Sequence, residues 1–264
     1  MRRQHSRMFV ALVWAAFWLI LPERSWAASG QEGQSDLALV LAVDASGSID
    51  ARDFTLQLNG IASAFRHSEV LDAIQSGPAG AIDVALLLWG GEIDETVSSG
   101  WFRISTEGEA EQFAALITTA SRRAYFGTTA VGNAIMAALV LLREIAERAD
   151  RHCIDVSGDG KETAVLRRRH VAVSPAYARF TAESLNVTIN ALAIENEEAD
   201  LGQWYRLNIV TNDGFVVTVN RADAFGKAIQ SKLLREIRPL RLTRPLIPQR
   251  PSMRLLLASD AQTP

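Results

Sequence analysis

Two hydrophobic periodicities alternate along the chain. Asp36 to Val43 is a nearly unbroken apolar run rich in Val and Leu, the pattern of a strand buried on both faces. Phe54, Leu58, Ile61 and Phe65 then recur at helical spacing, laying one apolar stripe along a helix that Asp50 can cap. Ile82 to Trp89 predicts the next buried strand. After Gly90-Gly91 a polar stretch leads to a short strand over Val97 to Ile104, followed by a helix from about Glu109 to Thr119. A stronger helix carries Val131, Ile135, Ala138, Leu139, Leu142 and Ile145 on one face. His152 to Val156 reads as strand, Ser174-Pro175 opens a helix that runs to about Leu185, and Val187 to Ile194 is a further buried strand. Phe215 to Val219 predicts the last strand. A closing helix from Ala222 to about Ile237 shows Phe225, Ile229, Leu233 and Ile237 at four-residue steps.

Strands alternating with helices argue for a mostly parallel sheet, joined by right-handed crossovers and covered by helices on both faces. The predicted fold class is α/β, a doubly wound sheet in a three-layer sandwich. Ligands in such folds bind outside the carboxyl ends of the strands, so the loops leaving the strands are where chemistry belongs.

The two ends depart from this alternation. Arg2, Arg3 and Arg7 precede an apolar run from Met8 to Leu21, and Ser25-Trp26-Ala27 offers small residues at a cleavage point, which predicts a secretory signal peptide over residues 1–27. The run is shorter than the roughly 20 residues a spanning helix needs, and no later segment is apolar enough to span a bilayer. The mature chain is expected to start near Ala28 and to work in a periplasm or outside the cell. Its body, residues 28–237, gives way to an Arg/Pro-rich tail over 238–264, where Pro239, Pro245, Pro248 and Pro251 oppose regular structure. Formal net charge is −3 for the whole chain, yet both ends are basic, so the body is distinctly acidic. That balance excludes nucleic-acid phosphates as the main partner. The basic tail is expected to be flexible or to contact an anionic surface.

A composition of 48% hydrophobic and 22% charged residues excludes disorder over the whole length. The single cysteine, Cys153, excludes an internal disulfide and Cys-based metal clusters, and its place in an apolar strand reads as core.

Three loops carry candidate chemistry. The first reads Asp44-Ala45-Ser46-Gly47-Ser48-Ile49-Asp50, one carboxylate and two hydroxyls on alternate residues where the chain leaves the first strand. Oxygen-only groups converging there suit a hard divalent cation, although the serines could equally cap the helix that follows. A second loop, Val156-Ser157-Gly158-Asp159-Gly160, holds a carboxylate between two glycines at a strand's carboxyl end, as a ligand or as a turn residue. The third, Phe126-Gly127-Thr128-Thr129-Ala130, brings a hydroxyl before the strongest helix, where either threonine could be the N-cap.

These loops, in this order, resemble the metal-ion-dependent adhesion site of von Willebrand factor A-type domains. The resemblance implies one divalent cation, Mg²⁺ first with Mn²⁺ or Ca²⁺ as alternatives, held at Asp44, Ser46, Ser48, Thr129 and Asp159. Thr129 rather than Thr128 takes the threonine's place because the family pattern superimposes on Gly127 through Ile135. It further implies that Ser46, Ser48 and Thr129 bind the metal directly or through water, while the aspartates act mainly through bound waters. More narrowly, LVLAVDASGSID, IDVSGDG and VTINALAI, the last followed by a helix with Trp204-Tyr205, are similar to a bacterial family of secreted A-type proteins known as domain of unknown function 1194. Asp155 fits that narrower pattern without an evident physical role.

A cation with few carboxylates on it keeps positive charge and an open position, which suits an acidic side chain from a partner protein. Protein binding is thus the expected function. A metal-dependent hydrolase acting on a phosphoryl or carbonyl group is the alternative. Against it stand the lack of a G-x-S-x-G elbow or a G-x-x-x-x-G-K-[ST] phosphate loop, and histidines (His67, His152, His170) in no acid–base pairing. Lys161 is the sole candidate base near the proposed metal loop. Two acidic stretches, one with Glu92, Asp94 and Glu95, the other with Glu195, Glu197, Glu198 and Asp200, read as solvated surface.

Overall fold

Strand β1, Leu37–Asp44, is buried at every position, and its alternation divides the interior. Leu37, Leu39, Leu41 and Val43 face one apolar layer, while the smaller Ala38, Val40 and Ala42 face the other, because successive strand residues point to opposite faces. This is seen in a computed structural model that describes residues 33–90, 96–120, 129–164, 172–196, 198–220 and 225–238. The signal segment, the acidic stretch at 92–95, residues 126–128, His170, Glu197 and the tail beyond 238 lie outside the described residues.

The first layer holds α1 (Ala51–Phe65), α2 (Ser68–Gln75), α3 (Glu107–Thr119) and α7 (Phe225–Ile237), and the second holds α4 (Val131–Glu144), α5 (Pro175–Ser184) and α6 (Leu201–Asn208). Between them β2 (Ile82–Trp89), β1, β5 (His152–Gly158), β6 (Val187–Ile194) and β7 (Val216–Val219) run parallel. The strand order is β3-β2-β1-β5-β6-β7, with β3 (Val97–Ser98) and β4 (Phe102–Ile104) both antiparallel to β2. The expected doubly wound α/β architecture is therefore present.

Three departures from the sequence pattern have local causes. The strand expected over Val97 to Ile104 is two short ones, because the chain turns at Gly100 with φ +73°, a conformation that glycine adopts without penalty. Helix α2 was not expected from the pattern. His67 caps it, its ring nitrogen accepting from Glu69 N at 3.3 Å, and only Val70, Ala73 and Ile74 are buried, too short a stripe to stand out in a sequence. On α7 the expected stripe is buried, but so are Lys232 and Glu236. Lys232 Nζ lies 2.6 Å from Asp155 Oδ1 on β5 and also pairs with Glu236, while Asn190 Nδ2 on β6 donates to Glu236 Oε1 at 2.9 Å. This buried cluster is the physical role of Asp155. The two carboxylates hold the Lys232 ammonium above its ordinary pKa although burial, the largest single influence, works the other way.

Cys153 is buried in β5 and accepts from Asn190 Nδ2 at 3.2 Å. Arg151 closes α7 by donating to the carbonyls of Glu236 and Ile237, at 2.9 Å each. Among the described residues no helix is long and apolar enough to cross a membrane.

Candidate metal centre

Parallel strands β1 and β5 are hydrogen-bonded neighbours with Val43 opposite Ser157, so the loops that leave their carboxyl ends must meet. Asp44 ends β1 and is fully buried. Its Oδ1 accepts from Ser46 N at 2.8 Å, which folds the loop back so that Ser46 Oγ and Ser48 Oγ stand 3.1 Å apart. Ser48 Oγ in turn donates to Asp159 Oδ1 at 2.8 Å. Four of the five candidate residues thus form one chain of contacts. Burial grades along it from Asp44 and Ser46 inside, through half-buried Asp159, to exposed Ser48, so the cluster opens to solvent on one side.

Neither serine caps the following helix. Asp50 does, with its carboxylate accepting from Asp53 N at 2.7 Å. Thr129 is no cap either, since the N-cap of α4 is Ala130, with no side-chain cap hydrogen bond. Glu162, from the loop after β5, accepts from Gly132 N at 2.9 Å instead, placing a carboxylate on the first turn, where the helix dipole favours one. The same loop ties Thr129 in place. Thr163 Oγ1 accepts from Thr129 N at 2.8 Å, and Thr163 N donates to the Thr129 carbonyl at 2.9 Å. A Cβ on Gly160 would lie 3.4 Å from Thr129 Oγ1, so this hydroxyl borders the Asp159 turn.

Close approach, beyond turn formation, explains Gly158. A Cβ there would sit 2.9 Å from Asp44 Oδ2 and 2.7 Å from the hydroxyl of Tyr205, so any other residue must displace a site group. Tyr205, on α6, is fully buried and donates to the Gly160 carbonyl at 3.2 Å. Burial first, then the charges of Asp44 and Asp159, push its phenol pKa well above the ordinary value. Tyr205, Glu162 and Thr163 are the site-supporting residues that sequence reasoning passed over. Of these only Tyr205 left a trace, in the family-like helix after β6.

Within this chain of contacts one buried carboxylate oxygen is unsatisfied. Asp44 Oδ2 is buried and has no hydrogen-bond partner, and desolvation, opposed by the Ser46 hydrogen bonds, raises the Asp44 pKa from 3.8 to about 7. A buried carboxylate oxygen without a donor costs free energy unless a proton or a cation takes it up. Donors here are hydroxyls and two carboxylates, a set suited to a hard cation. Among the described residues no group of three or more His, Cys, Asp and Glu side chains is arranged for a metal. Lys161, beside the site, pairs with Glu198 at 2.8 Å, and Glu195 accepts from Gly202 N at 2.9 Å. The second acidic stretch is therefore partly structural, contrary to its reading as solvated surface.

The fold is that of a von Willebrand factor A-like domain. The chain belongs to the family described as "Protein of unknown function (DUF1194)", which residues 34–241 match. No curated protein matches it. Among solved structures it is similar to proximal thread matrix protein 1 from the mussel byssus with a zinc-occupied MIDAS motif (17% identity, TM-score 0.54, covering 77% of this chain and 46% of that one). It is also similar to the pilus adhesin SpaC from Lactobacillus rhamnosus GG (12%, 0.55, 79% and 32%) and to a von Willebrand factor type A structure from Catenulispora acidiphila (16%, 0.51, 77% and 43%). The chain spans less than half the length of each of these proteins.

Proposed function

We propose that this chain is an exported, divalent-metal-dependent protein-binding module. In this reading residues 1–27 direct export to a periplasm or beyond, residues 28–237 are the binding domain, and residues 238–264 form a basic tail. The observation that carries the binding reading is the buried, unpartnered Oδ2 of Asp44 inside an all-oxygen cluster that opens to solvent.

Ser46, Ser48 and Thr129 would hold the cation directly or through water, with Asp44 and Asp159 acting through waters. The bound cation supplies positive charge and an open coordination position for an acidic side chain of a partner protein. The chain's own groups do the rest. Asp44 and Asp159 set the charge of the floor, the Ser46 amide orients Asp44, and Ser48 holds Asp159. Glu162 and Thr163 lock the Thr129 loop against the β5 loop. Mg²⁺ is the favoured cation on donor chemistry, with Mn²⁺ or Ca²⁺ as substitutes; the zinc in the mussel protein's motif supports a divalent ion at this position. The pilus adhesin neighbours support partner binding. A metal-dependent hydrolase has less behind it, because the nearby lysine is engaged by Glu198.

Calorimetric titration of residues 28–264 with Mg²⁺ and Mn²⁺ tests the reading, beside an Asp44→Ala, Ser46→Ala double variant. Saturable binding at about one ion per chain, lost in a variant whose circular dichroism is unchanged, is the expected result. No binding by the wild type would sink it.

A further inference from the structure

We infer that Tyr205 is a positioning residue of the metal centre, its hydroxyl fixing the Asp159 turn and standing beside Asp44 so that cation affinity depends on it. This rests on the metal-binding reading above and adds a fourth structural element, α6, to a site otherwise built from three loops.

Three independent features of the chain deliver this hydroxyl to the site. First, α6 is seated with little freedom. A Cβ on Gly202 would fall 2.4 Å from Thr218 Oγ1 on β7, so glycine lets the helix lie directly on the strand, and Glu195 accepts from the Gly202 amide at 2.9 Å to cap its first turn. Second, the ring of Tyr205 is fully buried in the layer formed with α4 and α5, which fixes the direction of its Cζ–Oη bond. Third, Gly158 leaves a gap of one methyl group in which Tyr205 Oη and Asp44 Oδ2 both lie within contact distance of a single point. Packing alone would be served as well by phenylalanine. The polar atom is placed where the main chain of the Asp159-Gly160 turn needs a donor, and it takes the Gly160 carbonyl at 3.2 Å.

The consequence is mechanical and electrostatic. Asp159 follows Gly158 and precedes Gly160, so a hydrogen bond to the Gly160 carbonyl restrains the turn that aims its carboxylate. The hydroxyl has a single proton, and with that proton on Gly160 its lone pairs add to the negative potential that Asp44 and Asp159 create for a cation. Outer groups that orient metal ligands typically change affinity by roughly 10- to 100-fold when removed.

The test is Tyr205→Phe in residues 28–264, with Trp204→Phe as a control that disturbs α6 at the adjacent ring, 5.7 Å away, but keeps the hydroxyl. Two readouts are taken: the Mn²⁺ dissociation constant by calorimetry, and metal-free amide exchange at Asp159 to Lys161. Tyr205→Phe is expected to weaken Mn²⁺ binding roughly tenfold and to speed exchange in the turn, whereas Trp204→Phe should leave both near the wild-type values. Affinity within twofold of wild type, or equal weakening in both variants, would overturn the inference. If the wild type binds no Mn²⁺, the metal reading fails and the inference with it; wild-type binding with turn exchange unchanged in Tyr205→Phe would overturn the inference alone.

Discussion

Two aspartates on neighbouring stretches of the sheet meet opposite fates. Asp155, in the middle of β5, is buried against Lys232, which also pairs with Glu236, and Asn190 donates to Glu236 in turn. Asp44, at the end of β1, is buried with one oxygen on the Ser46 amide and the other without a hydrogen-bond partner. The first carboxylate is neutralised by the protein and joins a helix to the sheet. The second keeps its demand for positive charge and faces a cluster that opens to water. Burial by itself thus distinguishes neither structure from function; what does is whether the fold supplies the counter-charge.

Breaking the closed cluster should have the largest effect. Lys232→Met would leave Asp155 and Glu236 buried without a cation, and loss of one partner of a buried ion pair costs about 3–5 kcal/mol. Urea unfolding should show that loss, and adding Asp155→Asn and Glu236→Gln to Lys232→Met should recover most of it, since the charges that needed the lysine are then gone. A triple variant as unstable as the single one would mean that shape, rather than charge, is what Lys232 contributes.

The open carboxylate should answer in the opposite sense. Asp44→Asn can keep the acceptor for Ser46 N while removing a buried charge that no protein group balances, so the metal-free domain should gain about 2 kcal/mol at pH 8. The same variant should show no saturable Mn²⁺ binding. This pairing of higher stability with lost binding is the mark of a site held at a cost to the fold, and a destabilised Asp44→Asn would contradict it.

A smaller and pH-dependent effect belongs to Glu236, whose carboxyl is pushed from 4.5 to about 7, first by burial and then by Asp155. A raised folded-state pKa means that its contribution is fully present below about pH 4.5 and is lost as pH climbs through 7. Glu236→Gln should therefore match wild-type stability near pH 4.5 and exceed it above pH 7, by on the order of 1–2 kcal/mol. Chemical denaturation at several pH values checks this, and parallel curves for the two proteins would refute it.

Much of this architecture was legible in the chain. The continuous apolar runs gave β1, β2 and β6 nearly to the residue, because a strand buried on both faces admits almost nothing polar along its length. The residues of the candidate loops were picked out from the chain, and the structure joins Asp44, Ser46, Ser48 and Asp159 by direct contacts with Thr129 at the border. Sequence reasoning did not see α2, whose buried stripe is only three residues long, nor the break between β3 and β4. It named the apolar stripe of α7 and gave no place to Lys232 and Glu236, which are both inside.

Local pattern determines what depends on neighbours in sequence: strand or helix, the buried face, the chemistry available in a loop. Which distant groups come to share a point is decided only when β1 and β5 pair and α6 settles on β7. That is why Asp155 acquires a lysine 77 residues away, why Glu162 rather than a threonine caps α4, and why Tyr205 reaches the turn of Asp159. Pair energies fall steeply with distance and with access of water, so the worth of each of these charges could not exist until the tertiary fold had set both.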